Sequence, residues 1–170
     1  MRKLLGCLLV TGAITSFSLT ARSDDKAKDA AGKDSGMVML TPSEVKWGDA
    51  PPILPKGVKF SLLLGDPSKA GSLYIMRLKM PAGYKIPAHW HPGDENVTVI
   101  SGTFFAGMGD KLDEKAVKGF GAGSFASMPA KMHHFGLAKA ETVIEIAGVG
   151  PFGMTYINPA DDPTAAPAKK

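Results

Sequence analysis

Cysteine is almost absent from this sequence. Cys7 is the single cysteine among 170 residues, and it lies in an apolar N-terminal run that we expect to be removed. The remaining chain can then form no disulfide and offers no thiol nucleophile. Its stability has to come from a buried core, for which roughly 145 residues are enough. Disulfide-stapled scaffolds and cysteine-dependent enzymes are thereby excluded.

The motifs of several large enzyme classes are also missing. There is no Gly-x-Ser-x-Gly elbow, no phosphate-binding loop and no dinucleotide fingerprint, which argues against hydrolases, kinases and dehydrogenases. A strong excess of one charge is missing too. The chain has 20 basic and 16 acidic residues, and loss of Arg2, Lys3 and Arg22 with the N-terminal run leaves 17 basic residues. We therefore expect no nucleic acid and no anionic membrane as a partner.

The N-terminus has the layout of a secretory signal peptide. Met1-Arg2-Lys3 is followed by an uncharged apolar run over residues 4–19 and by a small-residue site at Ala21-Arg22-Ser23. The apolar run is too short for a typical membrane-spanning helix. We predict a signal peptide at residues 1–23, a periplasmic or secreted location, and no membrane attachment after cleavage.

Between a predicted flexible leader (24–36) and a predicted disordered tail (159–170), short apolar runs recur about every eight to twelve residues. Gly or Pro separates them, which is typical of an all-β sandwich or barrel, so residues 37–158 are predicted to form one β-barrel domain. Only residues 111–118 have a composition that favours a short helix. The predicted strands are residues 38–40, 58–64, 73–80, 84–91, 96–101, 103–108, 123–128, 134–138, 142–149 and 154–157.

Two histidines and a carboxylate lie close together in the stretch from Gly83 to Gly102. His89 and His91 are two residues apart, so on a strand both side chains point to the same face. The Pro-Gly-Asp that follows predicts a tight turn, and Glu95 then opens an alternating run that can return beside the histidines. Imidazole nitrogens with a carboxylate oxygen suit a divalent transition metal: iron, manganese, copper, nickel or zinc.

The spacing of these residues resembles the first sequence signature of the cupin superfamily. That signature is Gly, five residues, His-x-His, three residues, Glu, six residues and Gly. Gly83, His89, His91, Glu95 and Gly102 match it without a gap.

A later stretch resembles the second cupin signature, which is Gly, five residues, Pro-x-Gly-x-x-His and then Asn. Gly123, Pro129 and His134 match it, whereas Lys131 stands in place of Gly and Ala138 in place of Asn. Adjacent strand residues face opposite ways, so His133 and His134 cannot both point into one barrel. The resemblance assigns the ligand position to His134, with His133 as the alternative.

The resemblance implies a single jelly-roll cupin barrel that holds a divalent metal through His89, His91, Glu95 and His134. Small cupins with this ligand set include dioxygenases, isomerases and lyases that act on small oxygenated molecules. We therefore expect an exported metalloenzyme, with dioxygenase-type oxidation of a small oxygenated organic molecule as the first candidate. The alternative is a non-catalytic cupin that binds or senses a small molecule or a metal. Cupins often exchange N-terminal strands, so the resemblance leads us to expect a homodimer through residues 37–40.

The surroundings of such a site can be predicted from bulky residues on the strands. Tyr84 and Tyr156 are candidate proton donors or partners for a substrate hydroxyl. A set of apolar side chains is expected either to form the wall of a ligand cavity or to fill an ordinary barrel core. These are Met76, Leu78, Met80, Phe104, Met108, Phe125 and Met128.

Overall fold

The computed structural model describes residues 36–165. The predicted signal peptide and almost all of the predicted leader lie outside the described residues, as does the end of the predicted tail, residues 166–170. Within the described part of the chain, no helix has the length and apolar character needed to cross a membrane.

The described residues form two antiparallel β-sheets that make a jelly-roll barrel. The strands are β1 (Gly48–Asp49), β2 (Lys59–Gly65), β3 (Leu73–Met80), β4 (Lys85–Trp90), β5 (Glu95–Ser101), β6 (Thr103–Met108), β7 (Lys118–Gly121), β8 (Phe125–Met128), β9 (His134–Ala138), β10 (Thr142–Val149) and β11 (Thr155–Tyr156). One sheet has the order β1-β2-β3-β10-β5-β8, and the other has the order β11-β4-β9-β6-β7.

The barrel core follows from alternation along the longer strands. In β3, Met76, Leu78 and Met80 are buried, while the residues between them are half-buried. The paired strand β10 repeats the pattern, with Ile146 opposite Met76 and Ile144 opposite Leu78. Each fully buried side chain of this size contributes about 1.5–3 kcal/mol. The period of two along each strand therefore directs one apolar face of each long strand into the barrel.

The all-β prediction is confirmed, and the predicted strands 73–80, 103–108, 134–138 and 142–149 have the observed bounds. The prediction of a strand at residues 38–40 is wrong. These residues are exposed, and no strand within residues 36–165 pairs with them. A strand needs a hydrogen-bonded neighbour, so apolar character alone does not make one.

The prediction of a helix at residues 111–118 is also wrong, because Asp113 starts a turn there. The Ala116 N–H donates to the Asp113 carbonyl at 3.0 Å, and the Lys115 N–H donates to the Asp113 carboxylate at 2.8 Å. An aspartate side chain that accepts from the backbone two residues on competes with helical hydrogen bonding. Lys118 then begins β7, where it is paired with β6.

The first residues of the predicted tail have regular structure. A short 3-10 helix spans Pro159–Asp161, and the Asn158 side chain accepts from the Ala160 N–H at 3.2 Å. Just before it, the Ile157 N–H donates to the Ala88 carbonyl at 2.9 Å. Ordered structure thus continues past the end of the barrel strands to Asp161.

Candidate metal centre

Strands from both sheets bring the four predicted ligand residues together. β4 carries His89 and leads directly into His91, and His89 lies opposite His134, the first residue of β9. Glu95 is the first residue of β5, in the other sheet. All four side chains are buried, at 3% exposure for His89, 5% for His91, 6% for His134 and 7% for Glu95.

A main-chain carbonyl holds each of the three histidines in one tautomer. Since a carbonyl only accepts, the Nδ1 atom must carry a proton and donate, so that in each neutral imidazole the Nε2 atom has a free lone pair. The three pairs are His89 with Pro87 at 2.7 Å, His91 with Gly153 at 2.6 Å and His134 with Met132 at 2.9 Å.

The ligand atoms of the three histidines lie within 4.8 Å of one another. The Glu95 carboxylate is beside them, with Oε1 3.5 Å from His91 Nε2 and Oε2 3.3 Å from His134 Nε2. His91 Nε2 is buried and has no hydrogen-bond partner among residues 36–165. A buried polar atom without a partner costs stability. The Nε2 lone pairs converge, and one of them has no hydrogen-bond partner among the described residues. This arrangement fits a metal ion, so these three histidines could hold one.

Burial and mutual charge shift the pKa values of these groups in different directions. Burial, and then charge on His134 and His91, lowers the pKa of His89 to about 3. Burial favours protonation of Glu95, but the hydrogen bond with His134 and the neighbouring imidazoles outweigh it and lower the pKa of that carboxyl. Burial acts against charge on His134, yet the hydrogen bond to Glu95 raises its pKa. A neutral His89 and an ionised Glu95 are the forms that bind metals.

The neighbouring His133 is at the surface. Its side chain is 42% exposed, and its Nδ1 lies 2.6 Å from the Asp110 carboxylate. Because His133 and His134 are adjacent on extended backbone, they face opposite sides. The structure therefore places His134, and not His133, beside His89 and His91.

The turn before His134 is shaped by Lys131. This residue has a φ of 64°, in the left-handed region that favours glycine. The Lys131 N–H donates to the His91 carbonyl at 2.8 Å, and the Ala130 N–H donates to the Asp94 carboxylate at 2.8 Å. A lysine thus adopts a backbone conformation that glycine favours, at the position of the glycine in the second signature, and hydrogen bonds to the segment that carries His91 hold it there.

A cavity of about 460 Å³ opens from this cluster into the barrel. Five of the predicted wall residues line it, namely Met76, Leu78, Phe104, Met108 and Met128. Met80 is fully buried in the core but does not line the cavity. The prediction for Phe125 is wrong, because its side chain is 62% exposed and points away from the barrel. The cavity size is that of a small organic ligand.

A known family profile covers most of this domain. It is described as the ChrR cupin-like domain, and it matches residues 35–152. This chain belongs to that cupin family. Among curated proteins, none matches the chain in sequence.

Solved structures resemble this cupin in fold. The polyketide cyclase RemF of Streptomyces resistomycificus is 15% identical, covers 75% of this chain and 89% of its own, and has a TM-score of 0.60. A putative acetylacetone dioxygenase of Methylibium petroleiphilum is 18% identical, covers 79% of this chain and 90% of its own, and has a TM-score of 0.57. The anti-sigma ChrR of Rhodobacter sphaeroides, solved in complex with SigE, is 24% identical, covers 64% of this chain and 51% of its own, and has a TM-score of 0.46.

The hydroxyl groups of the two candidate tyrosines of this cupin form hydrogen bonds outside the cavity. The Tyr84 hydroxyl donates to the Pro55 carbonyl, and the Tyr156 hydroxyl donates to the Ile53 carbonyl, both at 2.7 Å. Burial raises the pKa of both phenols, so they stay protonated. Neither side chain lines the cavity. Their prediction as proton donors is corrected accordingly: both tether the loop between β1 and β2.

Residues 150–154 of the C-terminal segment were not identified from the sequence as part of the site, although Tyr156 shortly after them was a candidate. Phe152 stacks against His91 with ring centroids 5.2 Å apart, Gly153 accepts from its Nδ1, and Met154 lines the cavity. Tyr156 lies opposite His89 in the pairing of β11 with β4. The segment has no charged or histidine residue that would mark it as functional in the sequence.

Proposed function

We propose that this cupin binds one divalent transition metal through His89, His91, His134 and Glu95, and that it acts on a small oxygenated organic molecule. A dioxygenase-type oxidation is the first candidate reaction. The observation that carries the proposal is the convergence of three Nε2 atoms whose Nδ1 partners are all fixed, with His91 Nε2 left unpaired. Glu95 supplies the carboxylate oxygen beside them.

The donor set supports this assignment on chemical grounds. Neutral imidazoles and one carboxylate suit iron, manganese, copper, nickel and zinc, and four protein ligands leave room for an exogenous oxygen ligand on each of them. When bound, such a metal supplies Lewis acidity or, as iron, a partner for dioxygen.

The residues of the chain have their own tasks at this site. The carbonyls of Pro87, Gly153 and Met132 keep the three Nδ1 protons in place, so the rings cannot rotate away from the centre. Glu95 contributes the negative charge. The apolar wall keeps bulk water from the histidines, which strengthens each electrostatic interaction inside the cavity.

A non-catalytic binding or sensing role is the second candidate. Among the described residues that line the cavity, no tyrosine or aspartate is available to donate or accept a proton, and the hydroxyls of Tyr84 and Tyr156 are used elsewhere. A reaction that needs a protein acid or base would have to use Glu95 or a residue at the cavity mouth. That observation favours binding over lyase or isomerase chemistry.

Export belongs to the proposal as well, on the strength of the N-terminal sequence. We propose that residues 1–23 are removed and that the mature protein is periplasmic or secreted. Mass spectrometry of the protein recovered from the periplasm or the medium should give a mass that lacks about 23 residues. An intact N-terminus on cell-associated protein would contradict the proposal.

Metal content tests the central claim. The mature protein, isolated from its own compartment, should contain about one equivalent of metal by inductively coupled plasma mass spectrometry. His134→Ala and Glu95→Ala should lose most of it, whereas the matched control His133→Ala, one residue away and exposed, should keep it. No metal in the wild type, or equal metal in all three variants, would overturn the metal site.

Turnover separates the two candidate roles. Oxygen uptake by the metal-loaded protein, screened with small diketones, enols and hydroxy acids, should be lost in His134→Ala if the protein is a dioxygenase. Saturable binding of such a compound without any product would support the binding or sensing role. Zinc as the native metal would argue against oxygen chemistry.

A further inference from the structure

The wall of the cavity is almost entirely apolar away from the histidines. Five methionines and three phenylalanines line it, together with aliphatic residues. Ser127 also borders it, but its hydroxyl donates to the Asn96 side chain at 2.9 Å. Among the described residues of the lining, Lys118 is the sole lysine or arginine. A single cation in an apolar wall needs a physical reason.

Strand register puts the Lys118 side chain on the cavity side of its sheet. Lys118 in β7 lies opposite Ala106 in β6, which lies opposite Gly136 in β9, and all three line the cavity. That row is two residues along β9 from His134. At ~4.8 Å between strands and ~3.4 Å per residue, the Lys118 Cα lies roughly 12 Å from the His134 Cα along the sheet. The lysine therefore lies well away from the histidines along the cavity wall.

The Lys118 ammonium forms no ion pair with a carboxylate of the described residues. It lies 5.3 Å from the centre of the Phe120 ring, which also lines the cavity. None of the ion pairs found among residues 36–165 includes it. The residue is exposed, so the ammonium remains hydrated at the cavity mouth.

We propose that Lys118 determines specificity by selecting ligands with an apolar body and an anionic oxygen group, such as a carboxylate, at the end remote from the histidines. The methionines and phenylalanines accommodate the body, since methionine adapts to varied shapes. The ammonium pairs with the anionic end at the mouth, where the ligand displaces only part of its hydration. The inference rests on the proposed function only in placing the ligand in the same cavity.

Protection of a sheet edge is the competing explanation for this lysine. β7 is an edge strand, and an inward-pointing charge on an edge strand hinders pairing with a second chain. Under that explanation, removal of the charge would cause self-association and leave ligand binding unchanged. The two explanations therefore differ in measurable outcomes.

Binding of a matched pair of probes tests the proposal. Octanoate and 1-octanol share one apolar body and differ in charge, and their affinities can be measured by isothermal titration calorimetry. The full-length protein is used in the presence of a chelator, so that the carboxylate is not drawn to a metal at the histidine end. The variants are Lys118→Met, Lys118→Gln and Lys118→Arg. The matched control is Lys139→Met, which removes a lysine that lies 4.5 Å from the Phe105 ring and does not line the cavity.

We expect Lys118→Met and Lys118→Gln to bind octanoate about two- to fivefold more weakly than the wild type, as for loss of one partly hydrated charge pair. Binding of 1-octanol should not change, and Lys118→Arg and Lys139→Met should bind both probes like the wild type. Equal octanoate affinity in the wild type and both uncharged variants would overturn the proposal, as would failure of the wild type to bind either probe. Self-association of the variants with unchanged octanoate binding would assign Lys118 to edge protection instead. Because no metal is involved, the outcome is independent of the metal-content test.

Discussion

The first signature segment, residues 83–102, and the second signature segment, residues 123–138, build one site by different means. The first supplies three of the four site residues from two strands that meet at a tight turn, and it matches the cupin pattern throughout. The second supplies His134 alone, and Lys131 stands where the pattern has glycine. Even so, Lys131 has a φ of 64°, which lies in the left-handed region that glycine favours.

The difference shows how the second segment is positioned by the first. The turn of the second segment hydrogen-bonds to the first at two points, from Lys131 to the His91 carbonyl and from Ala130 to the Asp94 carboxylate. These bonds fix a backbone conformation that lysine would otherwise avoid. The identity of residue 131 is therefore less important than the contacts that hold its backbone.

The largest expected effect compares one glycine from each segment. Gly102 and Gly123 both have positive φ, at 75° and 84°. A Cβ at Gly102 would lie 2.5 Å from the Glu141 carbonyl oxygen, whereas a Cβ at Gly123 would meet nothing within 4 Å. We expect Gly102→Ala to lower the free energy of unfolding by about 3 kcal/mol and Gly123→Ala by about 1 kcal/mol, measured by urea denaturation. Equal losses would show that the close contact at Gly102 is relieved.

The next effect concerns the pH dependence of stability, because the pKa of His89 in the first segment is lowered and that of His134 in the second is raised. The folded-state pKa of His89 is about 3, against 6.5 for the free side chain. Between these values the unfolded chain binds the proton and the folded chain does not, so the metal-free protein loses stability as the pH falls below 6.5. The slope should reach at most about 1.4 kcal/mol per pH unit. His89→Gln should flatten it, and the exposed control His133→Gln should not.

His134 should contribute in the opposite direction. Its pKa is raised by Glu95, so the stability that it provides is present below pH 6.5 and is lost as the pH rises through the folded-state value. In metal-free protein, His134→Gln should remove a decline in melting temperature above pH 6.5. An unchanged decline in that variant would mean that the pair with Glu95 does not contribute.

A smaller effect is expected from the link between the segments. Asp94→Ala removes the acceptor for the Ala130 N–H and should lower the free energy of unfolding by about 1 kcal/mol. Metal affinity should fall about tenfold, because the turn before His134 is less well fixed. Asp94→Asn keeps an acceptor oxygen and is the control that should stay close to the wild type in both measurements. Faster exchange of the Ala130 amide hydrogen in Asp94→Ala alone would locate the effect at this bond.

The smallest effect should come from restoring the glycine of the second signature. Lys131→Gly relieves the positive φ but increases the entropy of the unfolded chain, so we expect a gain of only about 0.5 kcal/mol in the free energy of unfolding. Lys131→Ala keeps a Cβ and should give no gain. A loss of stability in Lys131→Gly would show that the lysine side chain makes a favourable contribution of its own.

The fold could be predicted where apolar residues alternate over a full strand, as in β3 and β10. It could not be predicted where pairing decides the structure. β7 contains two glycines and one lysine and becomes a strand only because β6 offers hydrogen bonds. Residues 38–40 are apolar but have no partner strand within the described chain. Helix propensity at residues 111–118 was overridden by one aspartate side chain.

The residues of the site could be predicted where their spacing in the sequence determines which face of a strand they occupy. His89, His91, Glu95 and His134 come together because strand periodicity and a tight turn place them on the inner faces of two sheets. The roles of Tyr84 and of the C-terminal segment could not be predicted in this way. Tyr84 donates to the Pro55 carbonyl and His91 to the Gly153 carbonyl, and a main-chain carbonyl is present in every residue whatever its side chain. Main-chain acceptors become visible only once the chain is folded.

The hydrogen bond from His91 to the Gly153 carbonyl joins residues that are far apart in the chain, and its consequence is one of timing. A nascent chain presents His91 well before Gly153 has left the ribosome or an export channel. Until then His91 Nδ1 has no fixed acceptor, and the ring is free to take either tautomer. Under the proposed function, tight metal loading would therefore have to wait for the whole barrel. The compartment in which folding ends, with the metals available there, would then decide which ion binds.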